Sequence, residues 1–110
     1  MNIKEVAQKL NLNVTAGGDG MDALVTGCYI GDLMSLAMAQ LEEGYIWITI
    51  QTNLNVVAVA SLKEAGCVIL AEGVQLDANA AAKADEEGIP VLSSPESAYA
   101  LAKQLGALDI

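Results

Sequence analysis

The side chains that carry most enzyme chemistry are missing from this sequence or poorly placed for it. No histidine occurs among its 110 residues, which removes the commonest general base and the commonest transition-metal ligand. Arginine is absent too, so there is no planar fork for phosphate or carboxylate. The basic residues are Lys4, Lys9, Lys63, Lys83 and Lys103, all on expected helix surfaces or ends. The carboxylate pairs Glu42/Glu43 and Glu86/Glu87 fall in a turn and at a helix end, where sequence neighbours do not face one another. Asp19 and Asp22 match no calcium-loop spacing. No Gly-x-x-x-x-Gly-Lys-Ser/Thr run exists, so Ala16–Gly20 reads as a tight turn and not as a phosphate cradle. Cys28 and Cys67, each in apolar surroundings, read as reduced core thiols.

What remains is a set of uncharged hydrogen-bonding residues: Thr52, Asn53, Asn55, Gly73, Gln75, Ser93 and Ser94. Amide and hydroxyl groups of this kind, together with helix N-termini, can hold a neutral or weakly anionic small molecule. The plainer use of Thr52, Asn53, Asn55 and Ser94 is to cap helices. Neither a metal nor another cofactor is expected.

These residues acquire a common location from the elements around them. Tyr45–Ile50 is β-branched and aromatic, as a strand requires. Val56–Ala65 is apolar nearly all round, as in a helix buried against a sheet, and Gly66 is its expected stop. Cys67–Leu70 returns as a short apolar strand. Strand, helix and strand in so few residues form a right-handed βαβ unit with parallel strands. Ligands in such units favour the carboxyl edge of the sheet. The loops 51–55, 71–75 and 93–95 all fall on that edge.

The remaining elements extend the same rhythm. A helix over Ile3–Leu10 is capped by Asn2 with Glu5 as its reciprocal partner. Leu12–Thr15 alternates like a short strand, and Ala23–Ile30 forms another, with Gly27 inside it. Asp32 is the expected cap of a helix Leu33–Leu41. A helix from Leu76 or Asp77 runs to Glu87 and stops at Gly88. Ile89–Leu92 is a strand, with Pro90 suited to an edge or a first position. Ser93-Ser94-Pro95 opens a closing helix that ends before Gly106. The fold class is α/β: a mostly parallel sheet with helices on its faces, in one domain over residues 1–110.

Composition sets the outer bounds. Just over half of the residues are apolar (54%), which suffices for a core without disulfide or metal staples. Fourteen acidic residues against five lysines give a net charge of −9. That opposes binding to nucleic acid or to anionic membrane surfaces, both of which call for basic footprints. The N-terminus lacks the apolar core of a signal peptide, and no run reaches membrane-spanning length. A cytoplasmic location is expected.

Several runs resemble the DRTGG domain family. Gly88-Ile89-Pro90-Val91-Leu92-Ser93-Ser94 and Tyr99-Ala100-Leu101-Ala102 are similar to its last strand and helix. Val25-Thr26-Gly27 through Gly31-Asp32-Leu33-Met34 is similar upstream. The name-giving residues depart from the pattern. Asn53-Leu54 stands where Asp-Arg is usual, and Ala71-Glu72-Gly73 replaces Thr-Gly-Gly, so that Gly73 alone is kept. Trp47–Leu62 resembles the free-standing DRTGG-like proteins that accompany iron-only hydrogenases. Gly31-Asp32-Leu33 is similar to the non-catalytic N-terminal domains of HPr kinase and Mur ligases.

The resemblance implies a non-catalytic regulatory or protein-interaction module, dimeric, with a protein partner in redox metabolism. Met34, Met38 and the apolar face of the Val56–Ala65 helix are the expected subunit contacts. The alternative is a sensor that binds an adenine nucleotide at the carboxyl edge, as implied by the CBS domains beside which the family occurs. Phosphate would then rest on helix N-termini and backbone amides.

Overall fold

The computed structural model describes all 110 residues. In chain order its elements are α1 (Ile3–Lys9), β1 (Asn13–Ala16), a 3-10 turn (Gly18–Gly20), β2 (Gly27–Ile30), α2 (Met34–Gln40) and β3 (Tyr45–Thr49). There follow α3 (Leu54–Leu62), β4 (Cys67–Leu70), α4 (Ala78–Glu87), β5 (Val91–Ser93) and α5 (Ala98–Ala107). The five strands form one sheet in the order β1-β5-β4-β3-β2. β2, β3, β4 and β5 run parallel, and β1 lies antiparallel on the β5 edge. The fold class and the β3–α3–β4 unit read from the sequence are therefore as expected.

Alternation along the strands divides the core in two. Trp47, Val68, Leu70 and Val91 meet α2, α3 and α4 through Ala37, Leu41, Val56, Val57, Ala60, Ala80 and Ala84. Ile46, Ile48, Cys67, Ile69 and Leu92 meet α1 and α5 through Ile3, Val6, Leu10, Leu101 and Leu105. Both faces of β3 and β4 are covered, which explains the apolar runs Tyr45–Ile48 and Cys67–Leu70. The alanines of α4 let that helix sit close to the strands.

Asn2 and Glu5 form the expected reciprocal cap of α1. Elsewhere the helix starts move. Asp32 does not cap α2, whose N-cap position is Leu33 and carries no side-chain bond. Its carboxylate Oδ1 instead accepts from the Thr49 hydroxyl at 2.8 Å and the Ile50 amide at 2.9 Å. Thr49 is buried, so this acceptor satisfies a hydroxyl that would otherwise lose its water without replacement. The indole Nε1 of Trp47 donates to the Gly31 carbonyl at 2.9 Å. The turn after β2 is thus fastened to β3 from two sides.

Ser93-Ser94-Pro95 does not open α5. Ser97 caps that helix by accepting from the Ala100 amide, while Ser94 Oγ accepts from the Glu96 amide in a local turn. Gly106 lies inside α5 and does not end it. Gly66 is not the stop of α3, which ends at Lys63. The chain there turns through a left-handed Glu64, and the Gly66 amide already donates to Tyr45. Residues 23–26 stay outside β2. Pro90 directly precedes β5, which is an interior strand between β1 and β4.

Candidate functional site

Gly73, Gln75, Ser93 and Ser94 come together at the carboxyl edge of β4 and β5. They line a cavity of about 400 Å³ with Val74, Leu76, Pro95, Asn13 and Thr15. That volume lies within the usual range for small-molecule sites. The lining contains no ionisable side chain. Its polar groups are the amides of Asn13 and Gln75, the hydroxyls of Thr15, Ser93 and Ser94, and main-chain atoms.

The walls have different origins. The β4–α4 loop turns through left-handed Glu72 and Gly73. Their amides donate to the carbonyls of Glu96 and Ser94 at 2.8 and 2.9 Å. Two loops are thereby joined into one wall. The same bonds leave the Glu72 and Gly73 amides unable to hold a phosphate. The opposite wall is β1, whose Asn13 pairs with Ser93 in the antiparallel register. Thr15 Oγ1 donates to Ser93 Oγ at 3.4 Å. Asn13 and Thr15 were not among the expected site residues. Strand rhythm alone does not reveal which edge an N-terminal strand joins; the alternation of Leu12–Thr15 was their only signal.

Thr52, Asn53 and Asn55 do not line this cavity. Asn53 is the N-cap of α3, accepting from the Asn55 amide at 2.9 Å. Thr52 ties the β3–α3 loop to the start of α4. Its hydroxyl donates to Asp77 Oδ1 at 3.3 Å, and its carbonyl accepts from the Asp77 amide at 3.0 Å. Thr52 therefore steadies the segment that begins beside Leu76, at the cavity rim.

A search by family model matches residues 5–108 to the DRTGG domain. The chain belongs to the DRTGG domain family. No curated protein matches it in sequence. Among solved structures it is similar to the CBS and DRTGG domains of the regulatory region of the Clostridium perfringens pyrophosphatase, complexed with the activator diadenosine tetraphosphate. The TM-score is 0.76 at 12% identity, over 91% of this chain and 44% of that one. This DRTGG domain thus shares the fold and spans less than half the length of that relative. No helix is long and apolar enough to cross a membrane.

The two cysteines of this DRTGG domain lie in one row of the sheet. Cys28 is in register with Ile46, and Ile46 with Cys67. One strand therefore separates them, placing their Cα atoms roughly 10 Å apart, beyond disulfide reach. Burial pushes the Cys28 thiol up to about 11. Cys67, fully buried, is raised further, chiefly by desolvation and secondly by Cys28. Folded protein at mildly alkaline pH should react with a thiol reagent at Cys28 roughly a hundredfold more slowly than a free thiol. Labelling of Cys28 at the free-thiol rate would contradict this environment. The native state also holds thiol protons that the unfolded chain releases. Their stabilisation is complete below the ordinary thiol pKa and declines as pH rises from there toward about 11.

Proposed function

We propose that this chain is a non-catalytic regulatory module that takes a small uncharged polar group at the carboxyl edge of its sheet. The observation that carries the reading is the cavity of about 400 Å³ between the β4–α4 loop, the β5–α5 loop and β1, lined without any charge. The base or ribose of an adenine nucleotide fits this chemistry, since both present neutral donors and acceptors. The likeness to a pyrophosphatase regulatory region crystallised with diadenosine tetraphosphate supports the same class of ligand. The phosphates would extend toward solvent, because the chain lacks arginine and the Glu72 and Gly73 amides are already bonded.

Titration calorimetry with AMP, ADP and ATP, with and without Mg²⁺, tests the reading. Similar weak affinities for all three, indifferent to Mg²⁺, are expected. Gln75→Ala and Thr15→Ala should each lower them by about fivefold to tenfold, the range for one lost hydrogen bond. Absence of heat at millimolar nucleotide counts against the sensor reading and leaves a module that acts by protein contact alone.

In its wider setting the module is one domain over residues 1–110, of the hydrogenase-associated type that resembles the HPr kinase N-terminal domain. It acts in the cytoplasm as a homodimer, with a protein partner in redox metabolism. The resemblance of Trp47–Leu62 supports that setting. The net charge of −9 supports recognition of that partner through a basic patch, with an on-rate that falls as salt rises.

A further inference from the structure

We infer that the outward face of α2 and α3 is the contact between two copies of this chain. The inference rests on the dimeric reading above and is independent of the ligand. Three observations carry it. First, α2 is under-buried: of its seven residues only Ala37 is buried. A helix this short is not stable by itself in water and depends on packing. Second, the segments Leu33–Leu41 and Leu54–Leu62 contain no ionisable side chain, although the whole chain carries a net charge of −9. Third, their exposed residues are large and apolar. Leu33 is 60%, Leu36 50% and Met38 37% exposed along α2, and Leu54 and Leu62 stand 40% and 69% exposed on α3. Ala58, also exposed, lies between these two leucines one turn from each. α2 packs beside α3, so the faces adjoin.

The charge distribution identifies the occupant. A basic partner would be drawn to carboxylates, and this face has none to offer it. Two copies of a chain with a net charge of −9 repel one another least where charge is lacking, and any charge close to the two-fold axis would face its own image. The small Ala58 between two leucines gives each copy a hollow beside projecting side chains, which suits a self-complementary helix contact. Of the expected contact residues, Met38 belongs to this face, whereas Met34 is partly buried against the core.

The salt dependence separates self-association from basic-partner docking. Screening relieves repulsion between two acidic bodies, so a dimer through this face tightens as salt rises. Sedimentation equilibrium of the full chain, over micromolar concentrations at low and high sodium chloride, is the test. The expected result is a dimer whose dissociation constant falls with salt. Leu36→Glu and Leu62→Glu, one on each helix, should each weaken it by about tenfold or more by juxtaposing like charges. Tyr99→Glu, on α5 across the sheet, should leave it unchanged. Circular dichroism confirms that each variant is folded, and both helix variants substitute exposed positions. A wild-type monomer at all concentrations and salts would overturn the inference together with the dimeric reading. A wild-type dimer that is weakened by salt, survives both helix variants or dissociates with Tyr99→Glu would overturn this face alone.

Discussion

Replacing Gly17 with alanine is expected to destabilise the fold by about 3 kcal/mol or more, since steric overlap and left-handed strain act together. Gly17 follows β1 with φ of +70°, a conformation that side chains disfavour. An added Cβ would overlap the carbonyl of Ile89, a backbone atom with nowhere to move because β5 begins just beyond it. The Gly17 amide also donates to Asp85 Oδ1 at 2.7 Å, so any shift breaks the bond between β1 and α4. Gly18→Ala is the control: its nearest neighbour would be Val14 Cγ1 at 4.0 Å, and its φ is ordinary. Urea unfolding of both variants measures the difference. A loss below about 1 kcal/mol for Gly17→Ala, the scale of chain-entropy effects, would show that the turn relaxes freely. A cavity wall contributed by β1 should be disturbed in the same variant.

Trp47→Ala should cost about 3–5 kcal/mol, the range for removing a large aromatic side chain from a core. Trp47 is fully buried in the half-core facing α2, α3 and α4. Many residues of that half-core are alanines, whose short side chains fill little of the space it would leave. The variant also frees the Gly31 carbonyl that the indole holds at 2.9 Å. Trp47→Phe separates the two effects, keeping most of the volume and losing the bond, for about 1–2 kcal/mol. Because Trp47 is the only tryptophan, unfolding must be followed by circular dichroism. A cost under about 1.5 kcal/mol for the alanine variant would mean that the helices collapse onto the gap.

The elements easiest to read from the sequence were those whose surroundings impose one pattern. β3 and β4 are covered on both sides, and apart from Thr49 at the end of β3 they are apolar throughout. α3 lies between α2 and α4 and buries Val56, Val57 and Ala60, but its apolar residues continue onto the outward face at Leu54, Ala58 and Leu62. Helix starts were harder because one residue type serves several purposes. Asp32 and Ser94 have the chemistry of caps, yet each finds a better donor nearby: the Thr49 hydroxyl and Ile50 amide for one, the Glu96 amide for the other. Gly73, Gln75, Ser93 and Ser94 were legible because loops after parallel strands must share an edge. Asn13 and Thr15 were not, since their place depends on β1 crossing to β5, a choice settled by tertiary packing. Thr52 and Asn53 sit on the same edge, but fasten loops instead of lining the space.

The position of β1 also sets an order in time. From β2 to β5 each strand lies next to the one before it, so the sheet can grow by closing short loops. β1 must wait for a partner far along the chain, with Asn13 meeting Ser93. Closing so long a loop is entropically the most demanding step, and contacts of that span form late. The cavity is therefore expected to be completed late in folding, which slower gain of amide protection along β1 than along β3 would register. A ligand seated between β1 and the β4–α4 loop would act as a clasp on the joint between β1 and β5, converting occupancy into attachment of the N-terminal strand.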